Sequence, residues 1–247
     1  MKKVLLLSAM SLLLGACSSA PVIKSEPVQG VLKNETNVSL RMQDAPAVTA
    51  VRFNATGYTI FGVAYVAAAV AKMNSQSNEM SAAYNDYFTK HPEIGTLQDT
   101  FNNQLENDLS GSGITINKIS AEKSVSEQKE ISYKINPSET NGKQTVIIDG
   151  LTAMYFAPSS TDEYNPRAGV LISVMDPNGT STKPLKQEEI ETTISSNYAY
   201  KDYDVLNKDI PKAYAGLQES AKQLAHKVAE SLLGRVSPDS KAKIAQN

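Results

Sequence analysis

A single cysteine, Cys17, and two histidines, His91 and His226, restrict the chemistry open to this chain of 247 residues. One thiol can neither close a disulfide within the chain nor assemble a thiolate metal site. Neither histidine has a second one at metal-ligand spacing, so no local zinc motif is present. No serine sits in a Gly-x-Ser-x-Gly elbow. Basic residues do not outnumber acidic ones, 24 against 26, which argues against a nucleic-acid binder and a polybasic membrane patch alike. Apolar runs stop short of the roughly 20 residues of a comfortable membrane span. Tryptophan is absent, and 11 tyrosines outnumber 5 phenylalanines.

What is present begins at the N-terminus. Met1-Lys2-Lys3 is basic, Val4 to Leu14 is apolar except for Ser8 and Ser11, and small residues follow. That order describes a secretory signal peptide. The run closes on Leu14-Gly15-Ala16-Cys17, which resembles the lipobox of bacterial lipoproteins. Gly15 and Ala16 are small enough for extended backbone to enter a narrow peptidase cleft. The Cys17 thiol is the nucleophile that takes a diacylglycerol. The resemblance implies cleavage between Ala16 and Cys17, followed by acylation of the new amino group. At about 0.8 kcal/mol per buried methylene, two or three acyl chains anchor a protein stably. The alternative is an ordinary cleaved signal, cut at Ala16 or Ala20.

With Cys17 lipidated, the mature chain has no free thiol, and the fold must be held by packing alone. Loss of Lys2 and Lys3 leaves 22 basic against 26 acidic residues, a net charge of −4. Ser18 follows the cysteine. In lipoproteins of Gram-negative bacteria an aspartate there tends to retain the protein in the inner membrane, and serine permits transfer to the outer one. The implied location is the periplasmic face of the outer membrane, with the inner membrane or the cell surface as alternatives.

The rest of the chain reads as a tether over residues 17–47, one domain over 48–234 and a polar tail over 235–247. The Ser-, Pro- and Asn-bearing tether has an expected reach on the order of 30 Å as a flexible coil. Val38 to Met42 could add an edge strand to the domain. Val48 to Phe53 reads as the first strand. Tyr58 to Met73 is apolar all round and rich in small residues. It is expected as a helix buried against a sheet, with membrane contact or self-association as alternatives, since Ala64/Ala68 and Ala67/Ala71 permit close helix approach, and a true transmembrane segment as a third. Glu79 to Lys90 and Gly95 to Leu109 read as helices, the second with Leu97, Phe101, Leu105 and Leu109 on one stripe. Strands are expected at Ile114 to Ile119, Glu130 to Ile135, Gln144 to Phe156 and Ala168 to Met175, with Ile190 to Tyr200 pairing the last. The closing helix is capped by Asp209, carries Pro211 in its first turn, runs from Ile210 through Leu232 and stops at Gly234. The fold class is therefore α+β, a mainly antiparallel sheet with helices packed on one face, after a disordered lipid-anchored tether. In element order the chain resembles several uncharacterised bacterial lipoproteins and, loosely, periplasmic lipoprotein domains of the curli-secretion type. That likeness implies no site residues.

Local motifs for catalysis are weak. Ser110-Gly111-Ser112-Gly113 lacks the lysine of a phosphate loop and follows a helix instead of opening one. Asp176-Pro177-Asn178-Gly179 lacks the later acidic ligands of a calcium loop and reads as a turn. Glu188, Glu189 and Glu191 read as a solvated face just ahead of a strand. Tyr198, Tyr200 and Tyr203 read either as sheet packing or as a partner or ligand surface. No metal and no cofactor is expected beyond the lipid on Cys17. The leading expectation is a non-enzymatic envelope subunit that meets the membrane through its lipid, binds an envelope protein and not nucleic acid, with self-association through Tyr58 to Met73 left open. The alternative is an exported hydrolase, for instance peptidoglycan-directed, built from distant residues. Convergence of His226 with carboxylates in a cleft would favour that alternative.

Overall fold

Burial on both faces selects the two central strands. Residues 144–157 and 165–175 are buried at nearly every position and mostly apolar, as strands enclosed on both sides are. The computed structural model describes residues 27–32, 37–42, 48–52, 71–127, 130–140, 142–159, 161–178, 180–194 and 197–235. In chain order the elements are β1 (Asn37–Met42), β2 (Val48–Arg52), α1 (Ala71–Lys90), a 3-10 turn (Pro92–Ile94), α2 (Leu97–Gly111), β3 (Thr115–Lys118), β4 (Ala121–Val125), β5 (Ile131–Ile135), the single turn α3 (Pro137–Thr140), β6 (Gln144–Ala157), β7 (Asn165–Met175), β8 (Lys186–Thr193), α4 (Tyr203–Lys208) and α5 (Ile210–Leu233). The class is α+β.

The large sheet has the order β3-β1-β6-β7-β8, with β2 pairing farther along β6 on the far side of a break from β1. β6, β7 and β8 form an antiparallel meander, and β4 pairs β5 in a separate antiparallel ribbon. The N-terminal strands depart from the antiparallel expectation, because β1 runs parallel to both β3 and β6, and β2 parallel to β6. α1 and α2 carry the chain back across before β3 begins, and such a crossover is what parallel pairing requires.

The expected tether is also shorter than its composition suggests. Val28 and Leu32 are buried in the main core. Gly30, in the left-handed region at φ 75°, turns the chain so that its N–H meets Ser231 O and that of Leu32 meets Leu232 O, both at 2.8 Å. The Val28 N–H donates to Glu188 Oε2 at 2.9 Å. β1 is an interior strand between β3 and β6, not an edge. The fold therefore begins near Val28 and not at residue 48. Proline and asparagine hid two apolar residues that the turn delivers to one surface.

α2 and α5 cover one face of the sheet. The α2 stripe Leu97, Phe101, Leu105 and Leu109 is buried as expected, and a reciprocal Thr96–Asp99 capping box starts the helix. Tyr214, Leu217, Ala221, Leu224, Val228 and Leu232 of α5 are buried too, and Gly234 ends that helix in the left-handed region. Asp209, expected as its N-cap, makes no side-chain capping bond. Its carboxylate accepts the Tyr200 hydroxyl instead, at 3.1 Å. The opposite face of β6 and β7 is covered by the β4–β5 ribbon, through Ile131, Tyr133 and Ile135 on Ile147, Leu171 and Met175.

Candidate functional site

Two helices that bury their apolar stripes side by side leave their polar edges facing each other. Asp108, in the last turn of α2, meets His226 of α5 at 3.2 Å from Oδ2 to Nδ1. Four residues on, one helical turn, Glu230 places Oε1 3.5 Å from the other ring nitrogen. The imidazole thus lies between two carboxylates, the Asp108 contact being the better formed. An open groove of about 430 Å³ runs past it, lined also by Gln104, Thr192, Glu219, Lys222, Gln223 and Lys227. Lys227 Nζ is turned to the β8 carbonyl of Glu191 at 2.8 Å. The His226 side chain is 61% exposed.

This arrangement orients an imidazole through Nδ1, the first half of a base–orienter pair, with Glu230 3.5 Å from the Nε2 that such a base would use. Among the described residues, Thr192 is the one hydroxyl side chain lining the groove. Among the described residues no group of three or more His, Cys, Asp or Glu side chains is placed to hold a metal ion. His226 was legible in sequence and Glu230 was within reach, since i and i+4 share a helix face. Asp108, 118 residues away, carried no local signal.

The tyrosines fall elsewhere. Tyr200 and Tyr203 are buried, in one cluster with Tyr84, Tyr155, Tyr164 and Tyr214. They are core residues, which removes them from a partner surface. Strand alternation does not extend to them, because β8 ends at Thr193 and Tyr200 joins Tyr164 only through an isolated bridge. The Tyr155 hydroxyl donates to Ala213 O at 3.0 Å and that of Tyr214 to Gly95 O at 2.9 Å. Tyr155 and Tyr200 meet edge to face at 5.5 Å between centroids. Burial pushes the hydroxyls of Tyr84, Tyr155, Tyr200 and Tyr214 well above the usual tyrosine range. Burial, and then the charge of Glu79, push Tyr203 up to about 12. Tyr198 is half-buried against Gly216, where helix and tyrosine meet closely.

Other sequence candidates are structural. Glu188, Glu189 and Glu191 lie within β8 and not ahead of it; Glu191 pairs with Arg167, whose guanidinium stacks 4.9 Å over Phe156. Asp176 accepts the Thr180 hydroxyl and the Asn178 backbone N–H, which together hold its carboxyl below the ordinary range. That is a turn cap. His91 pairs with Glu93 in an exposed loop. A polar contact unannounced by sequence lies under the ribbon, where buried Asp149 meets Lys123 Nζ at 2.5 Å and accepts the Tyr133 hydroxyl at 3.1 Å. It ties β4 and β5 to the large sheet. Ala16, Cys17 and Ser18 lie outside the described residues, as does Tyr58 to Met73 apart from Ala71 to Met73, which open α1.

Among the described residues no helix is long and apolar enough to cross a membrane. Neither a family model nor a curated protein matches the chain.

Proposed function

We propose that this chain is a lipid-anchored protein of the bacterial envelope, held on the periplasmic face of the outer membrane, that works by binding another envelope component. One observation carries the reading: the chain's one cysteine stands at the position where Leu14-Gly15-Ala16-Cys17 needs it. The start of the fold at Val28, eleven residues later, is consistent with a domain held close to its anchor. An envelope protein is the proposed partner, and self-association through Tyr58 to Met73 belongs to the same proposal. Crosslinking in intact cells, membrane separation by density and capture of the tagged full chain test it. Recovery with outer-membrane material and one crosslinked partner is expected. Recovery in the soluble fraction with no crosslinked species would contradict it.

The convergence of His226 with Asp108 and Glu230 beside a groove favours one other reading, an exported hydrolase. There His226 acts as base through Nε2 with Asp108 holding its ring. The exposure of the imidazole weighs against that role, because a catalytic base works best where water is excluded. Release of fragments from purified peptidoglycan by the wild-type chain, abolished in His226→Gln with the fold intact, would move the hydrolase to first place.

A further inference from the structure

The short reach between Cys17 and the fold constrains how the domain sits on a membrane. Eleven Cα–Cα steps separate Cys17 from Val28. Even fully extended, they span at most about 40 Å. Val28 is fixed in place. It is fully buried, its N–H is bonded to Glu188, and the turn after it is stitched to the last turn of α5 by Gly30 to Ser231 and Leu32 to Leu232. The lipid therefore pulls on the C-terminal end of α5. That helix runs from Ile210 to Leu233. Its length is about 36 Å, so its first turn, which follows α4 after one residue, is the end of the helix far from the tether. To bring that far end down to the surface with α5 inverted, the whole of residues 18–27 would have to be stretched to its limit.

We infer that a lipid bilayer surface is the partner of the pole formed by residues 27–32 and the C-terminal turn of α5, and that the pole formed by α4 and the start of α5 is held away from it. The inference rests on the lipid-anchored reading. It also locates the α2–α5 groove. His226 precedes Ser231 by five positions in the same helix. That is about 8 Å along the helix axis, so the groove lies in the half nearer the membrane. Ligands of that groove are then molecules that reach the membrane surface, whereas exposed Val205 on α4 points to the envelope space beyond.

The test uses the full lipidated protein on phospholipid vesicles that carry a quencher on a fraction of their headgroups. With Cys17 acylated, Arg235→Cys and Val205→Cys each supply the one free thiol for a fluorophore, and both positions are exposed. Strong quenching at position 235 and several-fold weaker quenching at 205 is expected. A long Gly/Ser insertion after Ser25 should shrink that difference. Protein that floats with the vesicles but is quenched equally at both positions, or more at 205, overturns the orientation alone. Protein that carries no lipid and does not float overturns the anchor reading, and this inference with it.

Discussion

Gly216→Ala should destabilise the protein, against the intrinsic preference of helices. In an exposed helix interior, alanine is favoured over glycine by about 1 kcal/mol. Gly216 is in the interior of α5, where a Cβ would lie 2.5 Å from the Tyr155 hydroxyl oxygen and 2.9 Å from Tyr198 Cβ. Neither neighbour yields easily. Tyr155 is fully buried and its hydroxyl is committed to Ala213 O, and Tyr198 Cβ is fixed to its own backbone. Overpacking a well-filled core costs about 1–3 kcal/mol, and loss of the Tyr155 hydrogen bond adds about 0.5–1.5 kcal/mol. Set against the gain of about 1 kcal/mol in propensity, the expected net is a loss of about 0.5–3.5 kcal/mol. Gly111→Ala is the control, since a Cβ there meets nothing within 4 Å at the end of α2. Urea unfolding followed by circular dichroism reads both. The midpoint should fall for Gly216→Ala and stay level or rise for Gly111→Ala. An unchanged or higher midpoint for Gly216→Ala would refute the close packing of α5 on the tyrosine cluster.

Three further outcomes are expected. Leu224→Ala, at a fully buried position in the middle of α5, should cost about 2–5 kcal/mol; exposed Lys222→Ala should leave the urea midpoint nearly unchanged. The protein should unfold in alkali, because the buried tyrosines have pKa values raised above their unfolded value of about 10. Their neutral hydroxyls contribute stability that is fully present below pH ~10 and is lost as the pH climbs from there through their higher folded values. A tyrosinate absorbance step coincident with loss of the circular dichroism signal would show it; a gradual titration of folded protein would not fit. A chain beginning at Ala45 should fail to fold cooperatively, since it lacks Val28, Leu32 and the interior strand β1, whereas one beginning at Pro27 should give a sharp thermal transition.

The periodic elements were legible because their signal is local. The stripes of α2 and α5 and the dense apolar runs of β6 and β7 are read from neighbours in sequence, and the structure places them within a few residues of expectation. β8 was misplaced toward Tyr200 because its glutamates mask a strand. As an edge strand it keeps Ile190 in the core while its charges meet Arg167, the Val28 N–H and solvent. β1 and the turn at 27–32 were read as tether or edge because their placement depends on backbone partners more than a hundred residues away, such as Gln144 and Ser231. The tyrosines could not be assigned to core or surface from alternation alone, since Tyr200 and Tyr203 reach the core outside any strand. The candidate groove follows the same rule. Glu230 shares a helix turn with His226, whereas Asp108 joins them only through the packing of α2 on α5.

The anchoring of the chain through Cys17 is tested most directly by metabolic labelling with a fatty-acid probe in wild type and in Cys17→Ser. Wild type should incorporate the label and migrate as a processed form. The variant should stay unlabelled and retain residues 1–16, because the chain contains no other cysteine to accept the diacylglycerol. Label at wild-type level in Cys17→Ser, or a wild type that carries none, would contradict the account.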